Sequence, residues 1–389
     1  MIEFMLYAAA GLLVSLVVSE LIARAWIKSQ DRWYIHQPYS RRRFTIATDV
    51  LPQLPAEARF EANGDGERGG PVPANPAATQ RVLVAGGSAA ECFLLDQDDT
   101  WSAVLQRELQ EIGGPDVAVH VGNVARSLIT CRKINAILAK VLPKLESLDA
   151  VVLMVGASDL VDWFEAKTPP AIDEGDFEIG QYCAENPLGP FLWKPKKTAL
   201  YQLARGLNIR LRRPIEIKKN AGASIAKHRA ARASAETIIR ETPAATPMLK
   251  SFEKHLNALI DTCLQHAKTV VVAQQPWLDR DFTPEEAARL WNFGQGSPYR
   301  GQIEAYYEIN EVRRLMGEVD EVARRVADER GVLRVDLRDS VPSDFEHYYD
   351  FLHHSPKGCQ LVGRAVAEAL TGTVTGSLPS SLPRSPIAV

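Results

Sequence analysis

The chain has 389 residues, room for one large domain or two ordinary ones, and its 46% hydrophobic and 24% charged content is that of a globular protein with a core. A formal net charge of −3 singles out no partner. Five cysteines (Cys92, Cys131, Cys183, Cys263 and Cys359) show no CxxC or CxxxC spacing, which argues against a zinc site or a dense disulfide framework and for small core residues.

The first element is "FMLYAAAGLLVSLVVSELIARAWI", Phe4 to Ile27, whose first acidic residue is Glu20. Roughly 20 apolar residues cross a bilayer as a helix. A cleaved signal peptide normally opens with Lys or Arg and closes at a small-residue site, and neither is found here. Residues 1–28 therefore read as an uncleaved single-pass anchor. Arg24, Lys28, Arg32 and Arg41–Arg43 follow the span and no basic residue precedes it, so the positive-inside rule puts the main domain in the cytoplasm.

Residues 29–80 read as linker and lead-in, and 44–80 as loop, rich in Pro, Gly and Ala. Strand–helix alternation then begins. "RVLVAGG" (81–87) has the pattern of a short buried strand. The helix after it has Thr100 as cap, Trp101, Val104, Leu105, Leu109 and Ile112 on one face, and Gly113-Gly114 as stop. "VAVHVGNVA" (117–125) is a second strand, followed by a helix with Ile134, Ile137, Leu138, Val141 and Leu145 in register. "DAVVLMVG" (149–156) is a third strand, apolar on both faces as a central parallel strand should be. An insertion over 160–246 interrupts the alternation. Helix 247–267, strand 269–275, a helix near 304–330, strand 332–337 and a last helix opened by Ser355-Pro356 complete it. The pattern predicts a doubly wound α/β sheet over 81–371. Residues 372–389, rich in Ser, Pro and Gly, read as disordered.

The insertion reads as basic and helical. Twelve Lys or Arg and a single acid, Glu216, lie between Lys194 and Arg232. Either this is a solvated helical face, or it meets anionic lipid headgroups or an anionic polymer. No nucleic-acid recognition motif accompanies the charge, so no specific nucleic acid is expected.

In an open α/β sheet, ligands bind at the carboxyl ends of the strands, and Ser88 falls at that end of the first strand. Gly86 and Gly87 let the backbone turn sharply, and the following helix N-terminus favours developing negative charge. No GxxxxGK[ST] or GxGxxG accompanies them, which argues against a phosphate loop. Near the far end, "DFLHH" places Asp350 three residues before His353. A hydroxyl nucleophile needs a base, and an imidazole needs an acceptor to fix its tautomer; an Asp-x-x-His turn supplies both. His354 raises the alternative of a metal pair, but no cluster of ligands completes it.

Separated blocks of the chain resemble the SGNH (GDSL-like) hydrolase superfamily. "GGSAAE" resembles the nucleophile block, with Gly87 where many members have Asp. "GNVARSLIT" resembles the second block, "VVLMVGASDL" the third, and "DFLHHSPKG" the last. "EANGDGERGG" is similar to the lead-in of membrane-anchored members. The resemblance implies a three-layer α/β/α fold, flavodoxin-like, with about five parallel strands. It also implies serine-dependent hydrolysis of acyl or acetyl esters on carbohydrate or lipid, without metal or organic cofactor. By position, Ser88 is the implied nucleophile, His353 the base and Asp350 its orienter. The implied oxyanion donors are the Ser88 amide, the second-block amide at Ala125, and the third-block side chain at Ser158, two residues after Gly156. The family's second-block glycine is Ala125 here and its third-block asparagine is Ser158, so Asn123 is a candidate substitute donor. The resemblance also implies an extracytoplasmic domain, against the flanking charge. Two other readings stay open: a non-catalytic envelope protein binding anionic polymer or lipid, and an O-acyltransferase using the same triad. Trp277, Trp291, Phe293 and Tyr299, in loop 276–300, either stack on substrate or cap the core.

Overall fold

The computed structural model describes residues 2–30, 33–75, 78–145, 148–177, 179, 184–185, 196, 198–297 and 303–372. The expected tail, beyond Gly372, and Tyr299 lie outside the described residues. From the N-terminus come α1 (Ile2–Gln30), β1 (Trp33–Tyr34), β2 (Arg41–Ile46), β3 (Glu57–Glu61), β4 (Thr79–Gly86), the one-turn helix α2 (Ser88–Glu91), α3 (Trp101–Gly113), β5 (Ala118–Asn123), α4 (Cys131–Val141), β6 (Leu148–Met154) and α5 (Ala157–Glu165). The inserted stretch carries β7 (Ala184–Glu185), α6 (Ala199–Leu211), β8 (Ile215–Ala221), α7 (Ala223–Ala233) and β9 (Ile238–Ile239). The alternation resumes with α8 (Thr246–Leu264), β10 (Ala267–Gln274), α9 (Pro284–Ala287), β11 (Tyr306–Tyr307), α10 (Ile309–Arg330), β12 (Leu333–Asp336) and α11 (Pro356–Thr371).

Five strands form the central sheet in the order β12-β10-β6-β4-β5, every neighbouring pair parallel. The first strand of the sheet, β4, lies between the second, β5, and the third, β6. Strand order therefore reverses between β4 and β6, and the crevice at their carboxyl ends is where doubly wound sheets bind ligands. Val82–Gly86 and Ala150–Met154 are buried, as strands covered on both faces require. α3 packs on α11, while α8 packs on α4 and α10, which supplies the two helical layers. The predicted caps hold. Thr100 Oγ1 accepts from the Ala103 amide at 3.2 Å, and Ser355 Oγ from the Gly358 amide at 3.3 Å. Ile112 departs from the expected buried face. It sits in the last turn of α3, where that face opens to solvent, and is 51% exposed.

Residues 44–80 are not simply loop. β2 and β3 pair antiparallel, and β8 from the insertion adds to β2 in parallel. Both lead-in strands alternate: Phe44, Ile46, Ala58 and Phe60 are buried between exposed or half-buried polar residues. This period of two is short and flanked by turn residues, which hid it in the sequence. The small sheet presses against the turn beyond Ser88, with Phe44 and Phe60 packing on Phe93 at ring-centroid distances of 4.8 and 5.9 Å.

The insertion is likewise not purely helical, and part of its charge turns inward. Arg229 donates to the carbonyls of Val50 at 2.6 Å and Arg289 at 2.7 Å. Arg232 donates to those of Asn292 and Tyr307, both at 2.7 Å. These α7 arginines clamp loops together.

Candidate active site

β4 ends against β6. A Cβ on Gly86 would lie 2.2 Å from the Met154 carbonyl oxygen, and one on Gly87 would lie 2.6 Å from Ser158 Oγ. The backbone contact admits only glycine at Gly86, and at Gly87 a side chain would have to displace the Ser158 hydroxyl; the chain turns tightly there and Ser88 opens α2. The turn ends at Cys92, in the left-handed region at φ 52°. A one-turn helix cannot satisfy its own carbonyls. Arg68, from the lead-in and 1% exposed, does so: its guanidinium donates to the carbonyls of Glu91 at 2.6 Å, Cys92 at 2.7 Å and Leu95 at 2.7 Å. The same guanidinium lies 4.6 Å from the Phe60 ring centroid. Trp101 Nε1 donates to the Ala89 carbonyl at 3.1 Å. The Glu91 carboxylate accepts from the amide and hydroxyl of Ser127, tying the loop after β5 to the serine turn. Burial pushes the Glu91 carboxyl above its ordinary range.

The segment before α11 brings its side chains to that turn. Asp350 Oδ1 accepts from the amides of Leu352 and His353, each at 2.9 Å, a local turn of the kind aspartate forms with its own backbone. His353 Nδ1 lies 2.8 Å from both Asp350 oxygens, and its Nε2 lies 2.7 Å from Ser88 Oγ. The structure thus joins three sequence-predicted residues in one hydrogen-bonded chain. Burial opposes ionisation of Asp350, but the His353 ring and the two amides outweigh it and hold the carboxyl below its usual value. Burial likewise opposes charge on His353, and the Asp350 carboxylate outweighs that, raising the imidazole above 6.5. The Tyr349 ring stacks on His353 at 5.4 Å with an 8° interplanar angle. His354 points away and is 2% exposed, and burial drives its pKa down to about 3. Among the described residues no His, Cys, Asp and Glu group is arranged to hold a metal.

The oxyanion side departs from expectation at two positions. The Ala125 amide donates to Asn123 Oδ1 at 2.9 Å, so it is committed within its own loop. Asn123 is fully buried, and its Nδ2 donates to the Ala90 carbonyl at 2.7 Å and to Ser102 Oγ at 3.2 Å. Neither serves as a free donor, because a loop packed against α2 must satisfy its own polar groups first. Ser158 does reach the site, with its hydroxyl against Gly87. Gly156 holds it there: at φ 110° and with Val319 Cγ1 2.6 Å from where a Cβ would be, only glycine can start α5 at this point. The neighbouring Asp159 carboxylate accepts from the Cys131 amide at the start of α4, and burial raises its pKa to about 7. Of the expected oxyanion donors, the Ser88 amide, at the first position of α2, and the Ser158 hydroxyl are not taken up by such contacts among the described residues.

The aromatic loop is structural where it is described. Trp277, Trp291 and Phe293 are all buried. Of the two expected roles for Trp291, stacking on substrate or capping the core, the second is the one found: its Nε1 donates to Asp350 Oδ2 at 3.1 Å, and its indole stacks with His228 of α7. Arg68 and Glu91 support the serine turn although the sequence pattern gives them no role. Both lie inside quoted motifs, and their partners, backbone carbonyls for Arg68 and the Ser127 amide and hydroxyl for Glu91, are brought near only by folding. A cleft of about 360 Å³ lined by Thr130, Asp159, Trp163, Phe252 and His255 opens between α4, α5 and α8, and none of Ser88, Asp350 or His353 lines it.

No family model matches the chain, and no curated protein matches it. Among solved structures, an acetylxylan esterase, Axe2, from Geobacillus stearothermophilus is similar over 75% of this chain and 94% of its own, with 14% identity and a TM-score of 0.39. LAE5, an alpha/beta hydrolase enzyme from the metagenome of Lake Arreo, Spain, is similar over 76% of this chain and 96% of its own, with 15% identity and a TM-score of 0.41.

Proposed function

We propose that this protein is a membrane-tethered SGNH-type serine esterase that cleaves acyl or acetyl esters through an acyl-enzyme on Ser88. The observation that carries the reading is the unbroken chain from Ser88 Oγ through His353 to Asp350. His353 Nε2 takes the Ser88 proton as Oγ attacks the ester carbonyl. The tetrahedral oxyanion meets the Ser88 amide and the Ser158 hydroxyl. The imidazolium, held by Asp350, then protonates the departing alkoxide. His353 next takes a proton from water, the resulting hydroxide attacks the acyl group, and Ser88 is regenerated by the same proton in reverse. With the Ala125 amide and Asn123 committed elsewhere, the hole has fewer donors than the family pattern implies. Each missing donor costs on the order of 10²–10³ in rate, so turnover is expected to be modest. α1 is long and apolar enough to cross a bilayer and is the proposed tether.

The test is made on the purified full chain in detergent. It is expected to turn over p-nitrophenyl acetate and to take up a fluorophosphonate stoichiometrically, with the label on the peptide that contains Ser88. Turnover with the label on another residue overturns the assignment. Absence of both turnover and label is the outcome expected of a non-catalytic binding protein.

A further inference from the structure

α1 and α6 are joined by a buried carboxylate. Glu20, 3% exposed, accepts from the amides of Ala199 at 2.7 Å and Leu200 at 3.0 Å, and from Arg24 Nε at 2.6 Å. A carboxylate from one helix thus caps the N-terminus of another, where the unpaired amides and the helix dipole favour it. Ala23, Ile27 and Ala199 are buried together around this contact. The turns of α1 that precede Glu20 expose their apolar side chains from Ile2 to Val18. The eighteen residues from Ile2 to Ser19, at 1.5 Å each, span about 27 Å, close to the thickness of a bilayer's hydrocarbon core. Glu20 therefore marks the level at which α1 leaves the hydrocarbon, and α6 begins at that level.

α6 has the face such a position calls for. Leu203, Leu207 and Leu211 fall at i, i+4 and i+8, on one side of the helix, and are 38%, 59% and 74% exposed. Arg205, Arg210, Arg212 and Arg213 accompany them, all exposed, and residues 199–213 contain no acid. At its far end α6 is held to the small sheet. The Arg212 carbonyl accepts from Arg41 at 2.6 Å, and Arg210 lies over the Tyr39 ring at 4.8 Å. The helix is fixed at both ends while its leucine stripe is exposed among the described residues, increasingly so from Leu203 to Leu211.

We propose that α6 is an interfacial helix lying along an anionic lipid surface beside the α1 span. Its leucines enter the boundary between headgroups and acyl chains, and its arginines pair with lipid phosphates. The inference rests on the reading above only through α1 as the tether. It commits to a bilayer because the stripe begins where a bilayer-length helix ends and because cations alone flank it.

The experiment places a Leu207→Cys variant of the full chain, labelled with an environment-sensitive fluorophore, in phosphatidylcholine vesicles with and without phosphatidylglycerol. Leu13→Cys reports on the span, and the wild-type chain gives the labelling background. The expected result is a blue-shifted label at 207, quenched several-fold by a headgroup-level spin-labelled lipid and more strongly with phosphatidylglycerol present. Arg205→Gln with Arg213→Gln should remove that lipid preference. A water-like label at 207 with a lipid-buried label at 13 overturns the α6 proposal and leaves the tether standing. A blue-shifted label at 207 that no spin-labelled lipid quenches means burial against protein and also overturns it. A water-like label at 13 overturns the tether instead.

Discussion

Ser88→Ala is expected to lower ester turnover by about 10⁶-fold, to the residual level that binding and the remaining oxyanion donors sustain. Asp350→Asn, which keeps size and shape, is expected to cost about 10⁴-fold. The asparagine can still accept the Leu352 and His353 amides through its oxygen. Its NH₂ takes the place of Oδ2 beside His353 Nδ1 and leaves there only a neutral oxygen already shared with two amides, which favours the tautomer with the proton on Nε2. An Nε2 that carries a proton cannot take one from Ser88. Trp291 Nε1, which donates to Asp350 Oδ2, would also meet an NH₂ group and lose its acceptor. The pH profile separates this from a folding defect. In the wild type the working base is neutral His353, whose pKa Asp350 holds above 6.5. kcat/KM should therefore fall as pH drops through a value above 6.5. In Asp350→Asn the main opposition to the burial that disfavours the imidazolium is gone, so the acid limb should move to lower pH while the plateau falls. Initial rates across pH, with circular dichroism to confirm folding, make the check; an unmoved limb would count against Asp350 as the orienter.

Arg68→Ala is expected to be the most destabilising single change near the site. It strips the Arg68 hydrogen bonds from the carbonyls of Glu91, Cys92 and Leu95; Cys92 keeps the Leu95 amide, and each of the other two, left a buried orphan, costs about 1–3 kcal/mol. Relief of the cation's own burial offsets part of this, so a net loss of about 3 kcal/mol is expected. In a domain of this size that corresponds to a fall in Tm of roughly 6–12 °C. Turnover should fall with it, because the same carbonyls close the turn that presents Ser88. Arg68→Lys keeps the charge but lacks the planar fork that reaches several carbonyls at once, so it should rescue only part of the loss. Thermal unfolding and turnover of the two variants in detergent measure both effects. A Tm within about 1 °C of wild type for Arg68→Ala would show that the turn does not depend on Arg68.

Ser88, Asp350 and His353 stand out in the sequence because each sits at a local junction. Ser88 follows two glycines at the end of an apolar strand, and Asp350 and His353 share one turn before a capped helix. The parallel sheet is legible for the same reason, since continuous apolar runs between amphipathic helices have few other folds. What was hidden depends on partners far along the chain. Trp291 reads equally as a substrate-stacking or a core-capping aromatic until Asp350, 59 residues later, folds back onto it. Nothing in "GNVARSLIT" shows that the Ala125 amide will be taken by the side chain of Asn123, two residues earlier. Arg229 and Arg232 look like solvated charge, yet they bind carbonyls of loops that the sequence places tens of residues away. Charge counted along the chain does not tell which cations face water.

The central claim is that Ser88 carries the acyl group during turnover. The most direct measurement is the intact mass of the full chain, quenched with acid within the first turnovers of p-nitrophenyl acetate, followed by peptide mapping. The expected result is a fraction of the protein heavier by a single acetyl group, located on the peptide containing Ser88 and absent from Ser88→Ala. Ester turnover with no acetyl on that peptide, undiminished in Ser88→Ala, would contradict it.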